Sequence, residues 1–179
     1  MTSPSRTGTA PPLPDGLVAF VKKDCPTCVL IEPVLRELDS AGHLSAVYTQ
    51  DDVDFPGGVS TVADDTALET SWHHDIETVP TLIAVSEGVE TDRIVGWSRD
   101  QWAAFTGVDG IGLESGITDD SPGCGSLSVD PDRVAQLEAT YGDGFASRRV
   151  DFAGAEDPIE AMYDRGWSDG LPLVPPTPE

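Results

Sequence analysis

Two thiols stand three residues apart in Cys25-Pro26-Thr27-Cys28. That spacing serves either zinc binding or thiol–disulfide exchange. A zinc site needs two further ligands, and the chain has neither a second C-x-x-C nor a spaced pair of histidines. His73 and His74 are adjacent and are read as solvated residues near a helix end. No metal is therefore expected, and redox chemistry is. Proline after Cys25 favours a helix that starts there, because its missing N–H would have lacked a partner at that position anyway. Cys25 then sits where the first helical N–H groups and the positive end of the helix dipole favour thiolate over thiol, below the free value of ~8.5. Lys22 and Lys23 push the same way and Asp24 opposes them; since strand residues alternate, one of the two lysines is expected to face the site. Cys25 is the expected attacking nucleophile, and Cys28, one turn on and more buried, the residue that resolves the mixed disulfide.

The flanking elements follow from periodicity. Leu17 to Val21 is an apolar, β-branched run typical of a buried strand. Val29, Leu30, Val34, Leu35 and Leu38 then recur at helical spacing, predicting one helix from the cysteines to a stop near Gly42. Leu44–Tyr48 reads as a second, parallel strand, Asp51–Ser60 as an acidic loop, and Thr61–His73 as a shorter helix with Ala63, Leu68 and Trp72 on one face. Thr81–Val85 and Asp92–Trp97 read as a hairpin turning at Glu87-Gly88-Val89, with Ser98 as N-cap of a last helix. The order β-α-β-α-β-β-α implies an α/β architecture with a mixed sheet and helices on its faces.

A strand, a C-x-x-C at a helix start, and a later Thr78-Val79-Pro80 before a strand together resemble the thioredoxin superfamily over Gly16 to about Gly107. The resemblance implies a minimal thioredoxin fold with Pro80 as a cis-proline beside the cysteines. It also implies that the Val79 backbone pairs with an extended substrate segment, with Pro26, Thr27, Thr78 and Pro80 lining the same substrate site. This chain departs from thioredoxins in having Pro26-Thr27 between the cysteines, Asp24 before them and Ala19 in place of a buried acid. Proline after the first cysteine and Thr-Val-Pro are closer to glutaredoxins, but Gly96-Trp97-Ser98-Arg99 replaces their Gly-Gly stretch. A glutathione-dependent transferase is therefore not expected.

Composition narrows the setting. Thirty-two acidic residues against ten basic ones give a formal net charge of -22, which disfavours nucleic acid and anionic membranes as partners. A dispersed acidic surface with only Lys22 and Lys23 as lysines suits a high-salt cytoplasm as well as an ordinary acidic protein. Three cysteines, an odd count, suit a reducing, cytoplasmic compartment better than a disulfide scaffold. Residues 1–15 are Ser/Thr/Pro-rich and expected to be a disordered lead-in without the apolar core of a signal peptide. Residues 16–112 form the expected redox domain, and residues 113–179 a linker, short helices and a Pro-rich tail.

In that last part Thr118–Ser128 reads as a turn-rich linker that leaves Cys124, flanked by glycines, exposed on a flexible loop. Shuttling a disulfide from Cys25–Cys28, pairing with another subunit, binding a ligand and being an incidental thiol all remain open for it. Asp130-Pro131 and Asp157-Pro158 each predict a helix start, the second helix running through Ile159, Met162 and Tyr163 to Gly166. Trp167–Glu179 is apolar and Pro-rich, an extended segment suited to docking. It resembles a Gly-Trp-x-Asp-Gly-Leu-Pro-x-Val-Pro-Pro-Thr stretch of (seleno)cysteine proteins with a U/C-Gly-Ser-Cys motif, which implies the thioredoxin-like half of a two-component redox system. The expected activity is thiol–disulfide oxidoreduction without a cofactor, serving a dedicated protein partner; the alternative is an accessory subunit that docks on a larger redox enzyme through residues 167–179.

Overall fold

The computed structural model describes residues 10–142, together with Tyr163 and Gly166. Strand β1 (Gly16–Val21) is buried over its last four residues and lies at the centre of a five-stranded mixed sheet of order β3-β2-β1-β5-β6. It pairs in parallel with β2 (Leu44–Thr49) and antiparallel with β5 (Thr81–Ser86), so both of its edges and both of its faces are covered. This is why the run is apolar throughout instead of alternating. β5 continues antiparallel into β6 (Val89–Val95) through Glu87 and Gly88, both at positive φ (53° and 73°), the conformation of a two-residue hairpin turn.

The single helix expected after the cysteines is two: α1 (Pro26–Leu30) and α2 (Glu32–Ser40). Pro33 has no N–H to donate to the preceding turn, and the ladder breaks at Ile31. α2 buries Val34, Leu35 and Leu38 against the sheet. The Thr61–His73 segment is corrected too. Val62–Asp64 forms β3, parallel to β2, and only Glu69–His73 is helical (α3). The open edge of β2 takes Val62 as a strand partner, a tertiary demand that overrides local helical spacing. The Asp65 carboxylate accepts hydrogen bonds from the Thr70 and Ser71 amides and so closes the start of α3.

After the two-residue strand β4 (Thr78–Val79) and β7 (Trp97–Ser98) comes α4 (Arg99–Thr106), which ends at Gly107 with φ 73°. Ser98 stands at the N-cap but its side chain makes no capping bond. Its backbone is held in β7, opposite Asp120 of β8 (Asp120–Ser121). β9 (Cys124–Gly125), a 3₁₀ turn at Leu127–Val129 and α5 (Pro131–Tyr141) follow, α5 capped by the Asp130 carboxylate as expected. α5 places Leu137 on Leu68 and Trp72 in a small apolar cluster.

The chain divides into two units, Met1–Asp143 and Gly144–Glu179, and all elements from β1 to α5 lie in the first. The end of the lead-in is anchored rather than free: Leu13 is buried, and the Asp15 carboxylate accepts the Gly88 amide. The two histidines are half-buried, not solvated, because the chain packs over them. His73 faces the Tyr141 ring, and His74 Nε2 lies 2.8 Å from the Pro11 carbonyl. Of the second expected C-terminal helix, Tyr163 is helical and the Gly166 amide donates to its carbonyl. The remainder of that helix and the Trp167–Glu179 tail lie outside the described residues. Among the described residues no helix is long and apolar enough to cross a membrane.

Candidate functional site

Cys25 is the N-cap of α1, in extended conformation, with Pro26 directly behind it in the first turn. The loop before it is closed by Asp51 at the end of β2. One carboxylate oxygen accepts the Lys23 amide at 2.7 Å and the other the Asp24 amide at 2.8 Å. The Cys28 amide approaches Cys25 Sγ at 3.4 Å, and the sulfur lies 3.6 Å from the Val79 carbonyl. The Val79–Pro80 bond is cis, and so is Phe55–Pro56. β1, α1 and β4 thus bring Cys25, Cys28, Thr27, Val79 and Pro80 to one end of the sheet.

A third sulfur completes the site. Cys124 Sγ lies 2.7 Å from Cys25 Sγ. Residues 117–128 are a strap across the cysteines, where Thr118–Ser128 was expected as a turn-rich linker. β8 pairs with β7, and β9 then pairs antiparallel with β4, placing Cys124 opposite Val79 and Gly125 opposite Thr78. Sheet edges left open by two short strands account for the order: the strap satisfies their backbone groups. Trp97 Nε1 donates to the Thr118 carbonyl, and the Arg99 guanidinium to the Ile117 carbonyl. The Thr27 hydroxyl donates to the Pro122 carbonyl at 2.5 Å, so the Ser121 hydroxyl, 2.8 Å away, donates to Thr27 in turn.

Glycines let the backbones meet. A Cβ on Gly123 would stand 2.3 Å from Thr78 Cγ2 and 3.0 Å from the Val79 carbonyl oxygen. Gly96, at φ 74°, faces the Gly123 amide on the other side. Beyond Cys124 the strap is held by buried Gln50, whose amide donates to Ser71 Oγ and Ser126 Oγ and whose carbonyl accepts the Leu127 amide. Ser128 Oγ donates to the Ile76 carbonyl.

Electrostatics separates the three thiols. Cys25 is lowered from the ordinary thiol value to about 5, chiefly because the Cys28 thiol donates to it, against the cost of burial. The Cys124 thiol and the Cys28 and Thr27 amides add to the lowering. Cys28 is pushed far up by burial and by its hydrogen bond to Cys25. Cys124 is also raised, first by burial and then by the same thiolate. Of the two lysines, Lys22 faces the site, and its charge acts on Cys124 against the rise caused by burial. Lys23 pairs with Asp52 at 2.5 Å, while Lys22 Nζ donates to the Gly125 carbonyl at 2.8 Å and so clamps the strap.

Searched against models of known families, the chain matches none, and no curated protein matches it by sequence. Among the described residues, no group of three or more His, Cys, Asp or Glu side chains is arranged to hold a metal. Gln50, Asp51, Ser126 and Gly123 were not singled out from the sequence. For Gly123 alone the sequence carries a signal, since a glycine beside Cys124 permits close approach.

Proposed function

We propose that the protein is a cytoplasmic thiol–disulfide oxidoreductase with a thioredoxin-like fold, serving a protein disulfide partner through Cys25 and Cys28. The observation that carries this reading is the placing of two thiols one turn apart: Cys25 caps α1 with the Cys28 amide 3.4 Å from its sulfur, an environment that lowers it to about 5, while burial holds Cys28 protonated. At neutral pH Cys25 is a thiolate ready to attack, and Cys28 keeps its proton until it is needed. Cys25 bonds to one sulfur of the partner disulfide and the other leaves as a thiol. Cys25 then loses its negative charge, and two effects that hold up Cys28 vanish with it: the hydrogen bond to Cys25 and the repulsion by its charge. Cys28 deprotonates more easily at the moment it must attack Cys25 Sγ and release the partner. Ala19, fully buried in β1, supplies no carboxylate for that proton. The loss of the thiolate's own influence eases that deprotonation.

The test is reduction of a small aromatic disulfide followed by absorbance. Cys25→Ser should abolish it; persistence of the activity in that variant would end the proposal.

A further inference from the structure

If the pair works by exchange, the site poses a steric problem. Cys25 is 1% exposed and Cys28 0%, whereas Cys124 is half-buried. The strap covers Cys25, and it does so in the manner of an extended disulfide partner. It runs antiparallel to β4 with its own cysteine opposite Val79. The fit is built: Gly123 and Gly96 admit the backbone, Thr27 bonds the Pro122 carbonyl, Lys22 bonds the Gly125 carbonyl, and Gln50 anchors the exit. The two sulfurs, 2.7 Å apart, are closer than the ~3–3.5 Å separation of atoms poised to react, and a disulfide needs ~2.05 Å.

We infer that Cys124 is a relay thiol, the internal disulfide partner through which external disulfides exchange with the buried Cys25–Cys28 pair. This rests on the oxidoreductase reading and places Cys124 ahead of its first step: the disulfide that Cys25 attacks is the one Cys124 has formed with the external partner. With a low-molecular-weight disulfide RSSR as oxidant, the Cys124 thiol passes its proton to the adjacent Cys25 thiolate and attacks one sulfur; the departing RS⁻ takes that proton back from Cys25 and leaves as the first RSH. The Cys25 thiolate attacks Cys124 Sγ, the Cys25–Cys124 bond forms, and the second RSH leaves. Cys28 gives up its proton and attacks Cys25 Sγ; the Cys25–Cys28 bond forms and Cys124 departs as a thiol. Two electrons pass from the Cys25–Cys28 pair to RSSR. One proton comes from Cys28 and the other from solvent, since Cys25 begins as a thiolate. Cys124 ends unchanged, and the reverse sequence reduces an external disulfide.

The full chain with Cys28→Ser, treated with glutathione disulfide and mapped by non-reducing peptide mass spectrometry, tests the relay. A Cys25–Cys124 cross-link with two glutathiones released per chain is expected. A glutathione adduct that persists on either cysteine overturns the relay. In a second measurement, Cys124→Ser should form the Cys25–Cys28 disulfide about tenfold more slowly or worse than the unsubstituted chain. An equal or faster rate overturns the relay. Failure of the unsubstituted chain to form any Cys25–Cys28 disulfide would instead sink the oxidoreductase reading, so the two failures are distinguishable.

Discussion

The sheet with α1 and the strap of residues 117–128 hold the same three sulfurs by different means. β1 buries Val18, Ala19, Phe20 and Val21 completely, and α2 adds Val34, Leu35 and Leu38. Each fully buried large aliphatic or aromatic side chain contributes roughly 1.5–3 kcal/mol. The strap is held mainly by hydrogen bonds: two short ladders, the Thr27 and Lys22 contacts, and Gln50 with Ser126 and Ser128. Each such bond is worth about 0.5–1.5 kcal/mol net. A frame made of apolar burial stays formed, and a cover made of exchangeable hydrogen bonds can open separately. The cysteine pair belongs to the frame, and its partner thiol to the cover.

The largest break in that comparison comes from Gly123→Val. Its side chain would meet Thr78 and the Val79 carbonyl, and backbone cannot give way as a flexible side-chain end can. The strap should leave β4 while the five-stranded sheet persists. Alkylation of Cys25 by a bulky maleimide should then speed up by about tenfold or more, read by intact-mass spectrometry under native conditions. An unchanged rate would mean that the strap is not what covers Cys25.

Gln50→Ala attacks the cover from the other end. It removes the partner of the Leu127 amide, which is half-buried, and a donor to the buried Ser71 and Ser126. Leaving such groups unpaired costs about 1–3 kcal/mol. An unfolding free energy lowered by that amount is expected from denaturant titration, with faster Cys25 alkylation beside it; lower stability with unchanged alkylation would assign Gln50 to the frame.

These residues also mark where the sequence was legible. The mixed sheet was readable because β1, β5 and α2 announce themselves by apolar runs and spacing, and so was the cysteine pair at its helix start. The strap was not. Its pairing depends on backbone groups of β4 and β7, each two residues long, and a two-residue strand carries no periodicity. Its anchors, Gln50 and Ser126, are ordinary polar residues until the fold buries them together. β3 was missed for a related reason: the edge of β2 that recruits Val62 exists only once the sheet has formed.

A smaller effect sharpens the division between frame and cover. Cys25 takes its main lowering from Cys28, in the frame, and a lesser part from Cys124, in the cover. Titrated by iodoacetamide alkylation in a background where the site is opened equally, the rate should fall as pH drops through about 5 and level off above. A lowered thiol pKa means that the reactive thiolate is present above that value, so neutral solutions lie on the plateau. Cys124→Ala removes one donor and should move the midpoint upward. Cys28→Ala should move it further, and the reverse order would refute the assignment of weights.

The smallest effect is expected at the lysines, and it is informative because the sequence suggested otherwise. Both precede Cys25, and either one placed over the sulfur would favour the thiolate. Lys23, however, pairs with Asp52, and its Nζ is thereby committed to the acidic loop. Lys22 spends its Nζ on the Gly125 carbonyl of the cover. Lys23→Met should therefore leave both the Cys25 midpoint and its alkylation rate in place. Lys22→Met should leave the midpoint nearly in place but raise the rate modestly, since one tie between frame and strap is gone. A midpoint that rises in Lys23→Met would return that lysine to the role of tuning the thiol and would move it from the loop to the site.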